Sequence, residues 1–494
     1  MDIRTCFDHM TLEDSLYECT QAGIVGKPLR MINSVTDKLK IKIQGDPDNS
    51  RVKELSNCLG QGTVYAPTGT GITMASSLEQ NMAKVEAEEV FVDENFSLTP
   101  QVGPITMDPL MFVDDMNKTC VNSKESALMG TAITDTLNEL KMSAHEEKSG
   151  LLIFGKNREN LMREVDKNPT YIQGFKLGYK EAETYLGMQF SSKGSADSIM
   201  LTLEARRIKC YIKAKELKRK LDDDRVAGVG WLATAITVFN AVIVSTLTYG
   251  CGAWVGMTKK HMDHLEQTHR QSLYTVLDIN NTSTYRNLLS ICGIMTANDM
   301  VRKLKICFIN ELLHMKAEGI CYDTLTAEFN RGEINTLTNE VKEHCTYFGI
   351  FDVTEIYTRP DKLKQKIRTS SLNKLWVSLI TSKKAPWGPN RVEEKQRFYT
   401  TLPKHQAKCA LLYEIGELNF RTNRKWEASK KFGSTQCVVP SCGQEVTLDH
   451  IKECFGYSTK FREDFSPTEW VKYLSNLDLE RFSKYRSSLI SKAL

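Results

Sequence analysis

Asp114 and Asp115 stand side by side where the chain must reverse, between an apolar run at residues 109–113 and a partly alternating run at 116–121. Two adjacent carboxylates at a hairpin tip offer hard oxygen ligands, the donor set of a catalytic divalent cation. Asp is also favoured in solvated turns for backbone reasons, so the pair alone admits a plain hairpin as well. A second cluster lies near the C-terminus. Cys437, Cys442, His450 and Cys454, spaced C-x4-C-x7-H-x3-C, supply the four ligands of one tetrahedral zinc. Pro440, Ser441 and Gly443 provide a turn around the first pair, and a helix over 448–454 sets His450 and Cys454 on one face. Free buried thiols are the competing explanation.

The Asp pair belongs to an ordered series. Asp2-Ile3-Arg4-Thr5-Cys6-Phe7-Asp8 opens the chain, and Gly60-Gln61-Gly62-Thr63-Val64-Tyr65-Ala66-Pro67 follows. After Asp114-Asp115 come Lys148-Ser149-Gly150-Leu151-Leu152-Ile153-Phe154-Gly155 and then Thr184-Tyr185-Leu186-Gly187-Met188-Gln189-Phe190. This succession resembles motifs A to E of the reverse transcriptase palm, most closely that of non-LTR (LINE-type) retrotransposons.

The resemblance implies RNA-directed DNA polymerase activity by two-metal nucleotidyl transfer. In that chemistry carboxylates from separate strands bridge two Mg2+ ions, one activating the primer 3′-hydroxyl and one holding the triphosphate. Asp2 then corresponds to the motif A ligand, Asp114 and Asp115 to the motif C pair, and Ile3 to the residue lending a backbone carbonyl. Phe7 takes the place of the steric gate against a ribose 2′-hydroxyl, though an apolar core position is its simpler fate. Gln61, with Gly62 beside it, matches the motif B amide against nucleotide and template. Lys148 matches the motif D base near the leaving phosphate, or is an ordinary surface lysine. The partners implied are an RNA template, a DNA primer or target, and deoxynucleoside triphosphates.

The likeness continues downstream. A basic stretch at 206–220, an uncharged helix, Tyr249-Gly250-Cys251-Gly252-Ala253-Trp254 and residues 265–276 resemble the thumb and following segment of LINE-type enzymes. The Cys437–Cys442–His450–Cys454 set resembles their CCHC knuckle, with a longer first gap, and implies one structural zinc. No fingers or upstream endonuclease precede Asp2, so an active polymerase competes with a domesticated, non-polymerising nucleic-acid binder. A purely structural zinc-module adaptor accounts for the cysteines but leaves the five palm motifs to coincidence.

Composition frames these readings. The 494 residues are 41% hydrophobic and 26% charged with a formal net charge of +4, as expected of a folded protein of several domains. The small net value conceals segregation. Residues 79–115 hold nine acids against Lys84, whereas 205–220 hold eight bases against Glu216 and 359–397 hold eleven bases against three acids. An acidic centre beside basic elements suits a polymerase, and solvated faces explain the same charges, including an acidic loop at 86–94. Fourteen scattered cysteines and no apolar leader imply a reducing intracellular setting, nucleus or cytoplasm. Residues 226–258 lack any charge, yet Leu232, Ile236, Phe239, Ile243 and Leu247 form one helical stripe among polar residues, which predicts a buried helix and no membrane span. Oligomeric state is not encoded in any of these patterns.

The expected fold is α+β: a palm at 1–195 with helices backing an antiparallel sheet, a helical thumb and connection at 196–320, a helical basic region at 321–430 and a zinc module at 431–494. Within the palm, helices are predicted over 11–22, 27–35 and 124–140. Strands are predicted over 39–43, 151–154 and 185–190, with a hairpin turning near Lys193-Gly194.

Overall fold

The computed structural model describes residues 3–4, 12–36, 39–42, 52–55, 66–90, 97–99, 101–102, 105–106, 109–112, 115–155, 157–223, 230–279, 285–314, 336–351, 359–380 and positions 404, 407 and 411. The chain forms two compact units that divide between Leu201 and Thr202, inside one long helix.

The first unit opens with β1 (Ile3–Arg4), α1 (Leu12–Gln21), α2 (Lys27–Thr36) and the hairpin of β2 (Leu39–Lys42) with β3 (Val52–Leu55). There follow α3 (Ala66–Val90), β4 (Gln101–Val102), β5 (Ile105–Thr106), β6 (Leu110–Phe112), β7 (Asp115–Asn117) and α4 (Ser123–Glu139). The unit closes with β8 (Ser143–Ala144), α5 (Arg158–Lys167), β9 (Tyr171–Ile172), β10 (Phe175–Lys176), β11 (Ala182–Tyr185) and β12 (Met188–Ser191). The α+β class holds, but among the described residues the strands form six separate antiparallel pairs instead of one sheet.

The pair α3 and α4 organises this unit. On α3, Met74, Leu78, Met82 and Val85 recur at helical spacing and are buried, as are Met129, Ile133 and Leu137 on α4. They belong to a single cluster that also takes in Ile3, Met116 and Ala144. Full burial of a Leu or Met side chain is worth about 2 kcal/mol, so the cluster outweighs any single hydrogen bond here. Hydropathy alone hides part of the seam. Ser77 and Asn81 of α3 donate to the Glu139 carboxylate at 2.8 and 3.0 Å, and these bonds hold that carboxyl below its ordinary range.

Three local expectations are corrected. The strand expected over 151–154 reduces to one parallel bridge, Leu151 with Tyr179, because only Leu151 meets a neighbouring backbone. The run 185–190 is two strands, β11 and β12, reversing at Leu186 and Gly187 with φ of 48 and 75. Both central residues lie in the left-handed region, as a two-residue turn with the twist of its strands requires, so the reversal precedes Lys193-Gly194. The acidic loop expected over 86–94 is corrected at 86–90, which are the end of α3, and 91–94 lie outside the described residues.

The helix α6 (Ser195–Leu221) leads into the second unit, whose described elements are helical. They are α7 (Trp231–Thr248, with a π-helical centre at Phe239–Val244), α8 (Lys259–Leu277), α9 (Tyr285–Cys292), α10 (Ala297–His314), α11 (Leu337–Phe348) and α12 (Pro360–Ile380). On α7, Leu232, Phe239, Ile243 and Leu247 are fully buried while Thr234, Asn240 and Ser245 are exposed, so the apolar stripe faces protein. By length and composition this is the one described helix that could cross a membrane. Its one-sided burial is that of a core helix. The turn Cys251–Ala253 then brings Gly252 against α10, where an added Cβ would lie 3.1 Å from Phe308 Cβ and 3.2 Å from the Leu304 carbonyl oxygen. Only glycine fits that approach without displacement.

Candidate functional site

The β6–β7 hairpin carries Asp115. Its register pairs Leu110 with Asn117, Met111 with Met116 and Phe112 with Asp115. Alternation puts Met116 into the core at 3% exposure and leaves Asp115, one residue earlier, half-buried on the other face. Asp114 lies outside the described residues.

The chain leaving β7 is tied to α4. Asn122 caps that helix by accepting from the Glu125 amide at 2.9 Å, and Glu125 in turn accepts from the Val121 amide at 2.7 Å. Lys118 lies 3.9 Å from Glu125, both side chains almost wholly buried. Burial raises the Glu125 carboxyl despite these partners, and burial followed by the Glu125 charge pushes the Cys120 thiol up to about 12. A hairpin bolted this way is a rigid mount.

Tyr185, at the end of β11, faces the same hairpin. Its hydroxyl is 3.5 Å from the Leu110 carbonyl oxygen, and its pKa is raised first by burial and then by the Asp115 carboxylate. The β6–β7 and β11–β12 hairpins are therefore neighbours. Behind Tyr185, the β11–β12 hairpin is anchored where Ser191 donates to Asp197 at 2.6 Å and the Ser191 amide donates to Ser198 at 2.8 Å, at the start of α6.

Ile3 pairs with Ala144 in the β1–β8 ladder and is 3% exposed, in the same apolar cluster as Met116. The segment that follows Asp2 and the strand that begins at Asp115 thus share one core. Lys148 ends the short 3-10 turn Glu146–Lys148 just beyond β8, with an exposed side chain. Asp2, Phe7, Gln61, Gly62, Asp114, Cys437, Cys442, His450 and Cys454 lie outside the described residues. Among the described residues no group of three or more His, Cys, Asp or Glu converges as a metal site.

Part of the acidic surplus is consumed structurally. Glu86 accepts from Ser97 at 3.2 Å and from the Leu98 amide, and Glu89 pairs with Lys124 at 2.7 Å. Those charges hold the neighbouring backbone and α4 in place. The basic stretch is corrected in one member as well. Most of its cations occupy the exposed side of α6, but Arg206 is 4% exposed, with its guanidinium carbon 5.0 Å from the Trp254 ring centroid and Nη1 donating to the Leu247 carbonyl oxygen at 3.3 Å. Its position on the buried stripe with Leu203, Cys210 and Leu217 is what the helical period dictates. Sequence reasoning missed Tyr185 as a neighbour of Asp115; its place in the motif E run was the available signal.

Compared with known proteins, the chain matches no family model and no curated protein.

Proposed function

We propose that this chain is an RNA-directed DNA polymerase of the non-LTR retrotransposon type, with Asp2, Asp114 and Asp115 as its metal ligands. The single observation that carries the reading is the shared core of Ile3 and Met116, which draws the strand after Asp2 and the strand that begins at Asp115 into one cluster. The proximity of Tyr185 to Asp115 supports it, since it brings the run that resembles motif E beside the hairpin that resembles motif C.

The donor chemistry fits. Hard carboxylate oxygens are what Mg2+ prefers, and Asp115 is half-buried on a braced hairpin. Bound Mg2+ would neutralise the triphosphate and activate the primer hydroxyl. The protein's own part is to hold the carboxylates in place, with Ile3 fixed in the β1–β8 ladder and Met116 in the core, so that little reorganisation accompanies reaction. Lys148, exposed after its short turn, would be the base near the departing phosphate.

A second reading has its own observation. The described strands pair two by two and form no continuous sheet, which favours a remnant that binds nucleic acid without polymerising. Primer extension on an RNA template with Mg2+ separates the two. The polymerase reading expects extension that Asp115→Asn lowers by about 10^3-fold or more while duplex binding persists. Duplex binding without extension establishes the remnant.

A further inference from the structure

The second unit carries a groove of about 800 Å3 between the end of α11 and the outer face of α12. Its walls are two neighbouring ridges of α12, each with the four-residue spacing that aligns side chains along a helix. One ridge is Lys362, Lys366, Ser370 and Lys374, and the other includes Gln365 and Asn373 and ends at Val377. Phe348 of α11 forms the apolar floor, and Val377 is 55% exposed at one end. Among the described residues no acidic side chain lines it.

We infer that this groove binds a short run of single-stranded nucleic acid, phosphates along the lysine ridge and bases toward the amide ridge and apolar floor. The helical rise places Lys362 and Lys366 about 6 Å apart along the axis, commensurate with successive phosphates of an extended strand. The amides of Gln365 and Asn373 each offer donors and an acceptor, so they satisfy base edges without selecting one base. A volume of about 800 Å3 suits a few nucleotides. An acidic peptide would satisfy the lysines but would leave the amide ridge and the apolar floor without matched partners.

The wall is held rigidly. Lys374 donates to the Tyr347 carbonyl oxygen and lies 3.1 Å from the Tyr347 ring centroid, while Arg302 covers that ring at 4.3 Å. Tyr347 meets Phe348 edge to face at 5.0 Å, so the cations brace the aromatic pair at the floor. Beneath α12, Ser371 is fully buried and donates to Asp299 at 2.6 Å, which fixes the rotation of the helix and hence the direction of both ridges. Lys362, Lys366 and Lys374 are all exposed, and because Lys374 is engaged with Tyr347 it is Lys362 and Lys366 that meet phosphate.

The site belongs to a different unit from Asp115 and needs neither metal nor nucleotide, so it stands or falls apart from the polymerase reading. The test uses the full chain in EDTA without nucleotides and a fluorescein-labelled oligouridylate carrying 4-thiouridine. The expected result is photo-adducts mapping to residues 347–348 and 362–377. Lys362→Gln/Lys366→Gln should bind about 10-fold more weakly at 0.1 M salt, with a salt slope shallower by about 1.4, roughly 0.7 for each phosphate that is no longer neutralised. Lys141→Gln/Lys167→Gln, two bases of the first unit, should leave adducts and slope unchanged, and tryptophan fluorescence confirms folding of each variant. Adducts elsewhere only, together with an unchanged slope in the groove variant, overturn the inference. Displacement of the oligonucleotide by polyglutamate at equal affinity overturns it in favour of an acidic protein partner.

Discussion

His269 makes the second unit sensitive to acid by a calculable amount. It is fully buried in α8, its Nδ1 is 2.5 Å from the Tyr285 hydroxyl, and it meets the Phe239 ring edge-on at 5.0 Å. Tyr285 donates to Glu266, so the imidazole carries its proton on Nδ1 and donates to the tyrosine oxygen, leaving Nε2 as a lone pair without a partner among the described residues. Burial pushes the imidazole pKa down from 6.5 to about 3. The folded pKa is therefore depressed. Above the unfolded value neither state is protonated, and as pH falls through about 6.5 toward 3 the unfolded chain takes up a proton that the folded chain refuses. Between pH 7 and pH 5 this costs about 2 kcal/mol, from 1.36 kcal/mol per unit of pKa difference. Glu266, raised by burial, acts in the opposite direction, so the comparison must be with a variant that alters His269 alone. His269→Phe keeps the volume and the aromatic contact and leaves Tyr285 its bond to Glu266. All six tryptophans lie at Trp231 or beyond, so their fluorescence in urea reports on the second unit. The wild type should lose about 1 M more of its urea midpoint than the variant on going from pH 7 to pH 5, for a slope near 2 kcal/mol/M. Equal losses in the two proteins would refute the argument.

Three further outcomes follow from particular contacts. Gly130→Ala should destabilise the first unit by about 1–3 kcal/mol despite the gain in helix propensity, because the new Cβ would lie 2.6 Å from the Tyr171 carbonyl oxygen; faster amide exchange in α4 checks it. Lys305, 1% exposed, pairs with Glu340, which also accepts from the Gly256 amide, so Lys305→Ala should cost about 3–5 kcal/mol and Lys305→Met less, by the same fluorescence assay. Asp115→Asn should lower the Tyr185 pKa toward its ordinary value while burial still holds it high, seen as an earlier tyrosinate absorbance step; an unmoved step would separate the two hairpins.

Much of the local structure was legible in the chain's own periodicities. Leu128, Ile133, Leu137 and Leu140 announced α4, and Leu232, Phe239, Ile243 and Leu247 announced the buried face of α7, because helical burial repeats with the helical turn. The turn between β6 and β7 was marked by an apolar run ending at acids, and the structure pairs Phe112 with Asp115. The long α3 escaped notice because its inner face mixes Thr70, Thr73, Ser77 and Asn81 with its methionines, a polar seam with no hydropathy signature. Residues 185–190 read as one strand because nothing local distinguishes a strand from a hairpin whose turn contains Leu186.

The sequence by itself determined which segments could be helices and where carboxylates and bases were concentrated. Only the tertiary structure decided that Ile3 and Met116 share a core, that Tyr185 stands beside Asp115, and that Arg206 leaves the basic face to pack against Trp254. The reason is physical. Periodicity and turn chemistry are properties of neighbours along the chain, whereas the approach of positions 3 and 116 is set by the apolar area that α3 and α4 remove from water together, and no local pattern encodes it.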